Sequence, residues 1–169
     1  MELWDAYTRE GELVADTVLV RGQPVPDGLY HMACGVIVRH VDGSVLCMKR
    51  SKEKKSFGGW HDVSAGGAAL QGETKYDCVR RELREETGIE WTEFEEVSRT
   101  VRDCYATIFY SYLCTVDWPK DAITIQEGET EGYQWLSEQE FIELLNSDRM
   151  IPGQPERMED WFRKMGYLR

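Results

Sequence analysis

Three glutamates at helical spacing form the most concentrated chemical group in the chain. Glu82, Glu85 and Glu86 are three and four residues apart, so on a helix they share one face with Cβ atoms about 5–6 Å apart. Like charges at this distance repel each other by about 0.2–0.5 kcal/mol per pair. A hard divalent cation offsets that repulsion, and Mg²⁺ is usually held by one or two carboxylates together with water and substrate phosphates. The spacing therefore predicts a magnesium site that acts on a phosphorylated ligand.

The segment that carries these glutamates predicts a helix of about three to four turns. No proline or glycine occurs from Thr74 to Thr87, and Gly88 follows where a left-handed C-terminal cap is common. Val79 and Leu83 form a neighbouring stripe that can pack on a sheet while the acidic stripe faces a cleft. Helices rich in glutamate and arginine are more often solvated surface, so a bare acidic stripe would not decide the function.

The longer segment, residues 67–89, reads GAALQGETKYDCVRRELREETGI. It resembles, at every fixed position, the signature box of the Nudix hydrolases. In that family the box forms a loop-helix-loop that binds Mg²⁺ or Mn²⁺ and cleaves a diphosphate linkage, usually in a nucleoside diphosphate joined to another moiety. The glutamate that acts as base differs among members. The resemblance implies an orienting role for Arg81 and metal ligands at Glu82, Glu85, Glu86 and the backbone carbonyl of Gly66 or Gly67.

An acidic loop near residues 126–132 supplies further candidates for the general base. In Nudix proteins, a glutamate on such a loop shortly before a strand with tryptophan can complete the metal site or remove a proton from water. Glu127 and Glu129 stand in that position here, ahead of Trp135, and join Glu85 as candidate bases. A solvated acidic turn is the simpler interpretation of the same residues.

The most basic stretch of the chain is the loop of residues 51–59, which follows Arg50 directly, and it predicts contacts with substrate phosphates. Arg50 suits bidentate contact with phosphate, and we expect one loop lysine to assist it, either Lys52, Lys54 or Lys55, with Lys54 as the representative. Lysines in loops are also common on solvated surfaces, which is the alternative. His31 is the remaining candidate for ligand binding.

A second resemblance covers most of residues 2 to about 145. Several segments look like the type I isopentenyl-diphosphate isomerase branch of the same superfamily, which moves a proton with a cysteine, a glutamate and a histidine-rich metal site. His31 matches one of the metal histidines of those isomerases. The matching segments are Trp4-Asp5, Gly28-Leu29-Tyr30-His31, Lys49-Arg50-Ser51, Lys54-Lys55 and Tyr133-Gln134-Trp135.

The chain departs from the isomerases at their catalytic positions. Ala65-Gly66-Gly67 stands where they carry the catalytic cysteine before a Gly-His pair, and the chain has only two histidines besides His31. It also keeps the full set of box glutamates, which the isomerases tend to lose. We therefore expect a metal-dependent hydrolase of a small-molecule diphosphate with Mg²⁺, for which Mn²⁺ can substitute. The alternatives are an isomerase-like enzyme and a non-catalytic sensor of nucleotide diphosphates.

Composition narrows the partners and the compartment. The 169 residues are 41% hydrophobic and 30% charged, as in ordinary globular proteins, and the formal charge is −11. That charge argues against a nucleic-acid backbone as partner, because such binding neutralises phosphates with lysine and arginine. An odd number of cysteines without a CxxC pair, no leader segment and no long apolar run predict a cytoplasmic protein with no membrane association.

The remaining pattern predicts a single domain over residues 1–169. Strand-like runs flank the acidic helix, and the run from Trp60 to Ala65 leads into a turn at Gly66-Gly67 before it. Ser137 opens a helix to about Leu145 with a capping box, and a last amphipathic helix covers about residues 155–166. That helix could cover the core or a partner in a homodimer. We expect an α+β fold, which the resemblance sharpens to a Nudix-type α/β/α sandwich with a mixed central β-sheet.

Overall fold

Two long apolar strands form the centre of the sheet. In the computed structural model, which describes residues 1–63 and 65–168, β3 (His31–His40) pairs in parallel with β8 (Thr107–Val116) along its whole length. Parallel pairs normally lie where both faces of the sheet are covered. The nearly continuous burial of β3 fits that rule, so this pair is the frame that supports the other elements.

The central sheet is mixed. Besides β3 and β8, the strands are β1 (Leu3–Tyr7), β2 (Leu13–Val20), β4 (Val45–Arg50), β5 (His61–Val63), β6 (Ala65–Ala68), β7 (Glu95–Arg102) and β9 (Thr130–Leu136). The order in the sheet is β5-β4-β3-β8-β7, while β6 also pairs with β3 and β9 with β4; β1 and β2 form a separate hairpin. The β3–β8 pair is parallel, and the other pairs are antiparallel.

Helices cover both faces of this sheet. The helices are α1 (Lys75–Thr87), α2 (Glu138–Leu145), α3 (Gln154–Arg157) and α4 (Glu159–Lys164). Val79 and Leu83 of α1 lie in the core on one face, whereas Phe141 of α2 and Phe162 of α4 lie in the core on the other. The predicted α+β class and α/β/α sandwich with a mixed central sheet are confirmed. No helix within the two described ranges is both long and apolar enough to span a bilayer.

The Gly66-Gly67 pair lies in a strand and not in a turn. The sequence predicted a strand that ended just before these glycines, but β6 continues through them to Ala68, with Gly66 opposite Gly35 of β3. A Cβ atom at Gly66 would lie 2.6 Å from the Cys34 carbonyl oxygen. Glycine therefore allows β6 to lie unusually close to β3, which is why the turn prediction was wrong.

The C-terminal segment is two short helices instead of the single helix predicted for about residues 155–166. The helix breaks at Met158, whose φ is −128°. The Arg157 carbonyl accepts hydrogen bonds from the hydroxyls of Ser98 and Thr100 on β7, at 2.8 and 2.9 Å. These tertiary bonds interrupt the helical ladder. The apolar face of the segment packs inward, with Phe162 fully buried.

Candidate active site

The predicted helix α1 has the ends that its sequence indicated. The Thr74 side chain accepts a hydrogen bond from the Asp77 N–H, the Asp77 carboxylate accepts one from the Thr74 N–H, and Gly88 closes the helix at φ 75°. Capping boxes and left-handed glycine caps satisfy the polar groups that a helix end leaves free. With Val79 and Leu83 buried, α1 is held at a fixed rotation on the sheet, and its acidic side lies along β6.

Two of the three glutamates contact the backbone of β6. Glu86 Oε2 accepts a hydrogen bond from the Gly66 N–H at 3.0 Å. The Glu82 carboxylate lies where a side chain at residue 67 would be, because a Cβ atom at Gly67 would lie 2.3 Å from Glu82 Oε1. Gly67 is therefore needed for the Glu82 carboxylate to reach the strand, whereas Gly66 contributes its backbone N–H to Glu86.

Arg81 holds the carboxylates in place through one guanidinium group. Its Nε and Nη2 donate to the two oxygens of Glu73 at 2.6 and 2.9 Å. Its Nη1 donates to Glu82 at 2.7 Å and to Glu85 at 3.2 Å, and Nη2 also donates to the Ala68 carbonyl at 3.0 Å. The hydrogen bond to Glu73, followed by those to its other partners, raises the pKa of Arg81. Arg81 thus contacts two of the three predicted metal ligands, and its orienting role stays a prediction.

Burial makes the glutamates on the inner side of this group difficult to ionise. Burial raises the pKa of Glu86 to about 8, against the hydrogen bond from Gly66, and the nearby Asp62, Glu82 and Glu129 raise it further. Burial also raises the pKa of Glu82, with Arg81 acting in the opposite direction. Carboxylates in this state gain more than exposed ones from a bound cation, which stabilises their charged form.

The donor set fits a hard divalent cation, although the carboxylates are not yet gathered around one point. Among residues 1–63 and 65–168, no three acidic, histidine or cysteine side chains have the arrangement of a metal cluster. The reason is local: one nitrogen of Arg81 bridges Glu82 and Glu85, while Glu86 turns to Gly66. Oxygen donors on neighbouring turns are nevertheless the ligands that Mg²⁺ and Mn²⁺ prefer.

The structure brings Glu129 to the site and leaves Glu127 outside it. Glu129 forms an ion pair with Lys54, and its backbone carbonyl accepts a hydrogen bond from Ser51 N–H at 2.9 Å. It is also close enough to raise the pKa of Glu86. Glu127 is exposed on the same loop, and its side chain makes no hydrogen bond or ion pair with the described residues. The predicted Lys54 therefore reaches the site through its pairing with Glu129.

The other two candidates for ligand binding lie in different surroundings. Arg50 is near the site, with Nη1 3.9 Å from Asp62 Oδ2. His31 lies at the start of β3, stacked on Trp4 with ring centroids 4.2 Å apart, and its Nε2 is 2.7 Å from the Thr107 hydroxyl. Burial lowers the pKa of His31 and so favours the neutral ring. The contacts of His31 are those of a packed side chain, and none is with the site glutamates.

Sequence reasoning did not identify three polar residues beside the site. Asp62 lies on β5, and its carboxylate accepts a hydrogen bond from Gln154 of α3. Arg157, also on α3, is close enough to Asp62 to influence its pKa. None of the three belongs to the signature box. Gln154 follows Asp62 by 92 residues in the chain, and Arg157 follows shortly after Gln154. Only the folded chain brings them together.

Comparison with known proteins agrees with this geometry. Residues 29–161 match the NUDIX domain family. An uncharacterized Nudix hydrolase from Listeria monocytogenes is 29% identical over 153 residues, which cover 90% of this chain and 89% of that protein. The crystal structure of DR0079 from Deinococcus radiodurans has a TM-score of 0.74 at 20% identity, covering 94% of this chain and 98% of that one.

A further similar structure is a complex with ligands. It is a bifunctional NMN adenylyltransferase/ADP ribose pyrophosphatase from Francisella tularensis, complexed with AMP and a Mn ion. Its TM-score is 0.58 at 18% identity, and the alignment covers 86% of this chain and 43% of that one. The family match spans most of the chain and contains the whole of α1 with its glutamates. This chain therefore belongs to the Nudix family and is an enzyme of the Nudix hydrolase type, as its sequence predicted.

Proposed function

We propose that the chain hydrolyses a diphosphate linkage in a nucleoside diphosphate derivative or a related small molecule. In this proposal Glu82, Glu85 and Glu86 hold Mg²⁺, for which Mn²⁺ substitutes, and the Gly67 carbonyl is a further ligand. One observation carries it: two partly buried carboxylates, Glu82 and Glu86, converge on the Gly66-Gly67 backbone of β6. The Mn ion and the nucleotide described for the Francisella tularensis protein are in line with this chemistry.

The residues around the site have separate tasks in the reaction. A divalent cation bound there would polarise the phosphoryl oxygens and make water more acidic. Arg81 keeps Glu82 and Glu85 at fixed positions, because a planar guanidinium with several donors orients more than one carboxylate at once. Arg50 and Lys54 would steady the charge that develops on the phosphates.

Proton removal from the attacking water needs an accessible carboxylate. Glu85 is our first candidate, because its side chain is 42% exposed and lies beside the other ligands. Glu129 is the second, since it borders Glu86 from the loop before β9. Glu127 stays a weaker candidate, because only a rearrangement of its loop would bring it to the same place. General-base catalysis requires hydrogen-bond reach to the proton, and Glu85 and Glu129 are the nearer groups.

We also propose that residues 1–169 work as one domain in the cytoplasm. The N-terminal hairpin supports the box loop directly, since Asp5 accepts a hydrogen bond from the Gly72 N–H and the Leu3 carbonyl accepts one from the Gln71 N–H, both at 2.8 Å. An enzyme lacking this hairpin would have an unsupported loop before α1. All five cysteines are free thiols, which supports a reducing compartment.

The chain is related to the isomerase branch in this proposal, but it does not catalyse the isomerase reaction. Ala65 is 4% exposed on β6, next to Gly66, at the position where a catalytic thiol would be required. The methyl side chain of Ala65 cannot donate or accept a proton. His31, which matches a metal histidine of that branch, is stacked on Trp4. We therefore propose descent from the same branch with hydrolysis as the activity.

The test is a chromatographic product assay with Mg²⁺ on ADP-ribose, sugar nucleotides, dinucleotides and isopentenyl diphosphate. We expect cleavage of at least one diphosphate linkage and no isomerised product. Because Glu85 and Glu86 would act on the transition state, Glu85→Gln and Glu86→Gln should each lower turnover by about 100-fold or more. Glu93→Gln, on an exposed glutamate outside the site, is the matched control. Full activity in both site variants would contradict the proposal.

A further inference from the structure

A second charged group lies beside the glutamates and, apart from Arg50, has no part in the reaction proposed above. It consists of Arg50, Asp62, Gln154 and Arg157, which we call the arginine cluster. Gln154 donates a hydrogen bond to Asp62 Oδ1, and Arg50 Nη1 lies 3.9 Å from Asp62 Oδ2. Asp62 and Arg50 are both partly buried, each with 27% of its side chain exposed. The cluster therefore lies below the surface and is still accessible.

Contacts within the sheet link this cluster to the catalytic glutamates. The guanidinium carbon of Arg157 lies 4.2 Å from the centroid of the Phe109 ring. That ring occupies the space in front of Gly35, where a Cβ atom would lie 2.9 Å from Phe109 Cζ. Gly35 in turn pairs with Gly66, whose N–H binds Glu86. Arg157 is thus connected to the glutamate site through the Phe109 ring and the paired strands β3 and β6.

The cluster holds more positive than negative charge. Two guanidinium groups lie near one carboxylate, that of Asp62, but only Arg50 is within ion-pair distance of it. That carboxylate also accepts a hydrogen bond from Gln154. The other charges near Arg157 offset each other, because Arg102 pairs with Glu156 at 2.7 Å. This excess of positive charge belongs to the cluster itself, since the neighbouring Glu86 and Glu129 are acidic and the whole chain has a formal charge of −11. It favours an anionic ligand at this position.

The arginines also have hydrogen-bond donors without protein partners. Within residues 1–63 and 65–168, the Arg157 guanidinium donates no hydrogen bond and joins no ion pair, and its contact is with the face of Phe109. Arg50 Nε is buried and likewise has no partner there. Partly buried donors without acceptors are costly, and a guanidinium stacked on a ring keeps its N–H edge available. That edge suits bidentate contact with phosphate or carboxylate.

We propose that Arg157 binds a second anionic group of the substrate, either a phosphate monoester or a carboxylate, separate from the diphosphate that is cleaved. The inference rests on the proposed function, because it assigns the substrate class of that same site. The diphosphate would lie at the glutamates of α1, and the second anion would lie at the arginine cluster beside them. Arg157 is then a specificity-determining residue contributed by α3, outside the box.

Matched substrate pairs test this assignment. In each pair one member carries the additional anion and the other lacks it: NADPH and NADH, coenzyme A and dephospho-coenzyme A, UDP-glucuronate and UDP-glucose. The first two pairs report on a phosphate monoester and the third on a carboxylate. Turnover is measured with Mg²⁺, and binding is measured by calorimetry in the presence of a chelator, so that cleavage does not interfere.

We expect the wild-type enzyme to prefer the anionic member of at least one pair by about 10- to 100-fold in kcat/KM, the effect of one or two charge-assisted hydrogen bonds. Arg157→Gln should abolish that preference by raising KM for the anionic member while kcat changes little. Arg157→Lys should keep part of it, because it retains the charge and loses the fork. Arg163→Gln, which removes an exposed arginine of α4, should behave as wild type.

The possible outcomes separate this inference from the function on which it rests. Cleavage of the pairs without any preference, or equal losses for both members in Arg157→Gln, would overturn the inference and leave the hydrolase intact. Calorimetric preference for the anionic members without cleavage of any compound would support the inference and count against the proposed function. Circular dichroism of each variant confirms that the fold is retained.

Discussion

Arg81 joins three glutamates and one backbone carbonyl with contacts of 2.6 to 3.2 Å. Its position on α1, one residue before Glu82, lets a single side chain reach back to Glu73 at the start of the box and forward to Glu85 on the next turn. A planar group with five N–H donors can satisfy all these acceptors together. A lysine ammonium has three donors at one point and cannot span them.

Replacing Arg81 by lysine should therefore disturb the site while charge is conserved. We expect Arg81→Lys to lower kcat/KM by about 10- to 100-fold, the usual effect of losing a residue that orients metal ligands, and to require more Mg²⁺ for half-maximal activity. Arg80→Lys makes the same exchange at an exposed neighbour. An Mg²⁺ dependence identical in the two variants would show that Arg81 does not position the ligands.

At the level of single residues, sequence reasoning succeeded where local spacing determines the neighbours. The i, i+3, i+4 pattern placed Glu82, Glu85 and Glu86 on one side of a helix, and the structure has them there. It could not locate Asp62 or Arg157, because their proximity depends on how α3 packs against the sheet. Such contacts between distant segments leave no periodic signal in the sequence.

The elements of the fold show the same division between local and tertiary determinants. α1 and α2 have the predicted limits because their caps are formed by neighbouring residues, Thr74 with Asp77 and Ser137 with Glu140. The C-terminal segment was predicted as one helix from its apolar spacing. Its break depends on Ser98 and Thr100, which lie almost 60 residues earlier, with separations of 59 and 57 from Arg157.

The end of α1 provides a prediction about stability. Gly88 has φ 75°, and a Cβ atom there would lie 1.9 Å from the Thr124 hydroxyl oxygen. Gly88→Ala should lower the free energy of unfolding by about 2–4 kcal/mol, because backbone strain and a steric clash combine. Gly28→Ala, at φ 79° with open space around it, isolates the strain and should cost about 1 kcal/mol. Equal losses in urea denaturation would mean that the clash is relieved without cost.

For the whole molecule, the sequence predicted the stacking of helices and sheet better than it predicted which strands pair with each other. Amphipathic helices and long apolar strands determine that a sheet lies between helices. The pairing of β6 with β3 was not predictable, because it depends on the close approach that Gly66 allows, and the preceding strand β5 pairs with β4 instead. This change of partner places Asp62 and Gly66 on neighbouring parts of the same site.

The stability of the whole molecule should depend on pH through Asp62. Burial raises the pKa of Asp62 to about 6, against the attraction of Arg157 and Arg50. In the unfolded chain this carboxyl has an ordinary pKa of about 4, so the folded protein holds the proton more tightly. The contribution of Asp62 to the free energy of unfolding is therefore fully present below about pH 4 and is lost as the pH rises to about 6.

Asp62→Asn should remove that dependence. With chelator present, we expect the stability difference between the variant and the wild type to shift in favour of the variant by on the order of 1–3 kcal/mol from pH 4 to pH 7. Urea denaturation across this range measures the difference. Asp148→Asn, at an exposed site, is the control. If the curves of Asp62→Asn and the wild type stay parallel, burial does not perturb Asp62 as described.

Binding of a divalent cation by the box glutamates is the central claim. It is tested most directly by titrating the protein with Mn²⁺ in the presence of AMP and measuring free Mn²⁺ by electron paramagnetic resonance. We predict binding of at least one Mn²⁺ to the wild type and at least about tenfold weaker binding to the double variant Glu82→Gln/Glu86→Gln, with circular dichroism unchanged. Binding of equal strength by the wild type and the double variant would show that these carboxylates do not hold the metal.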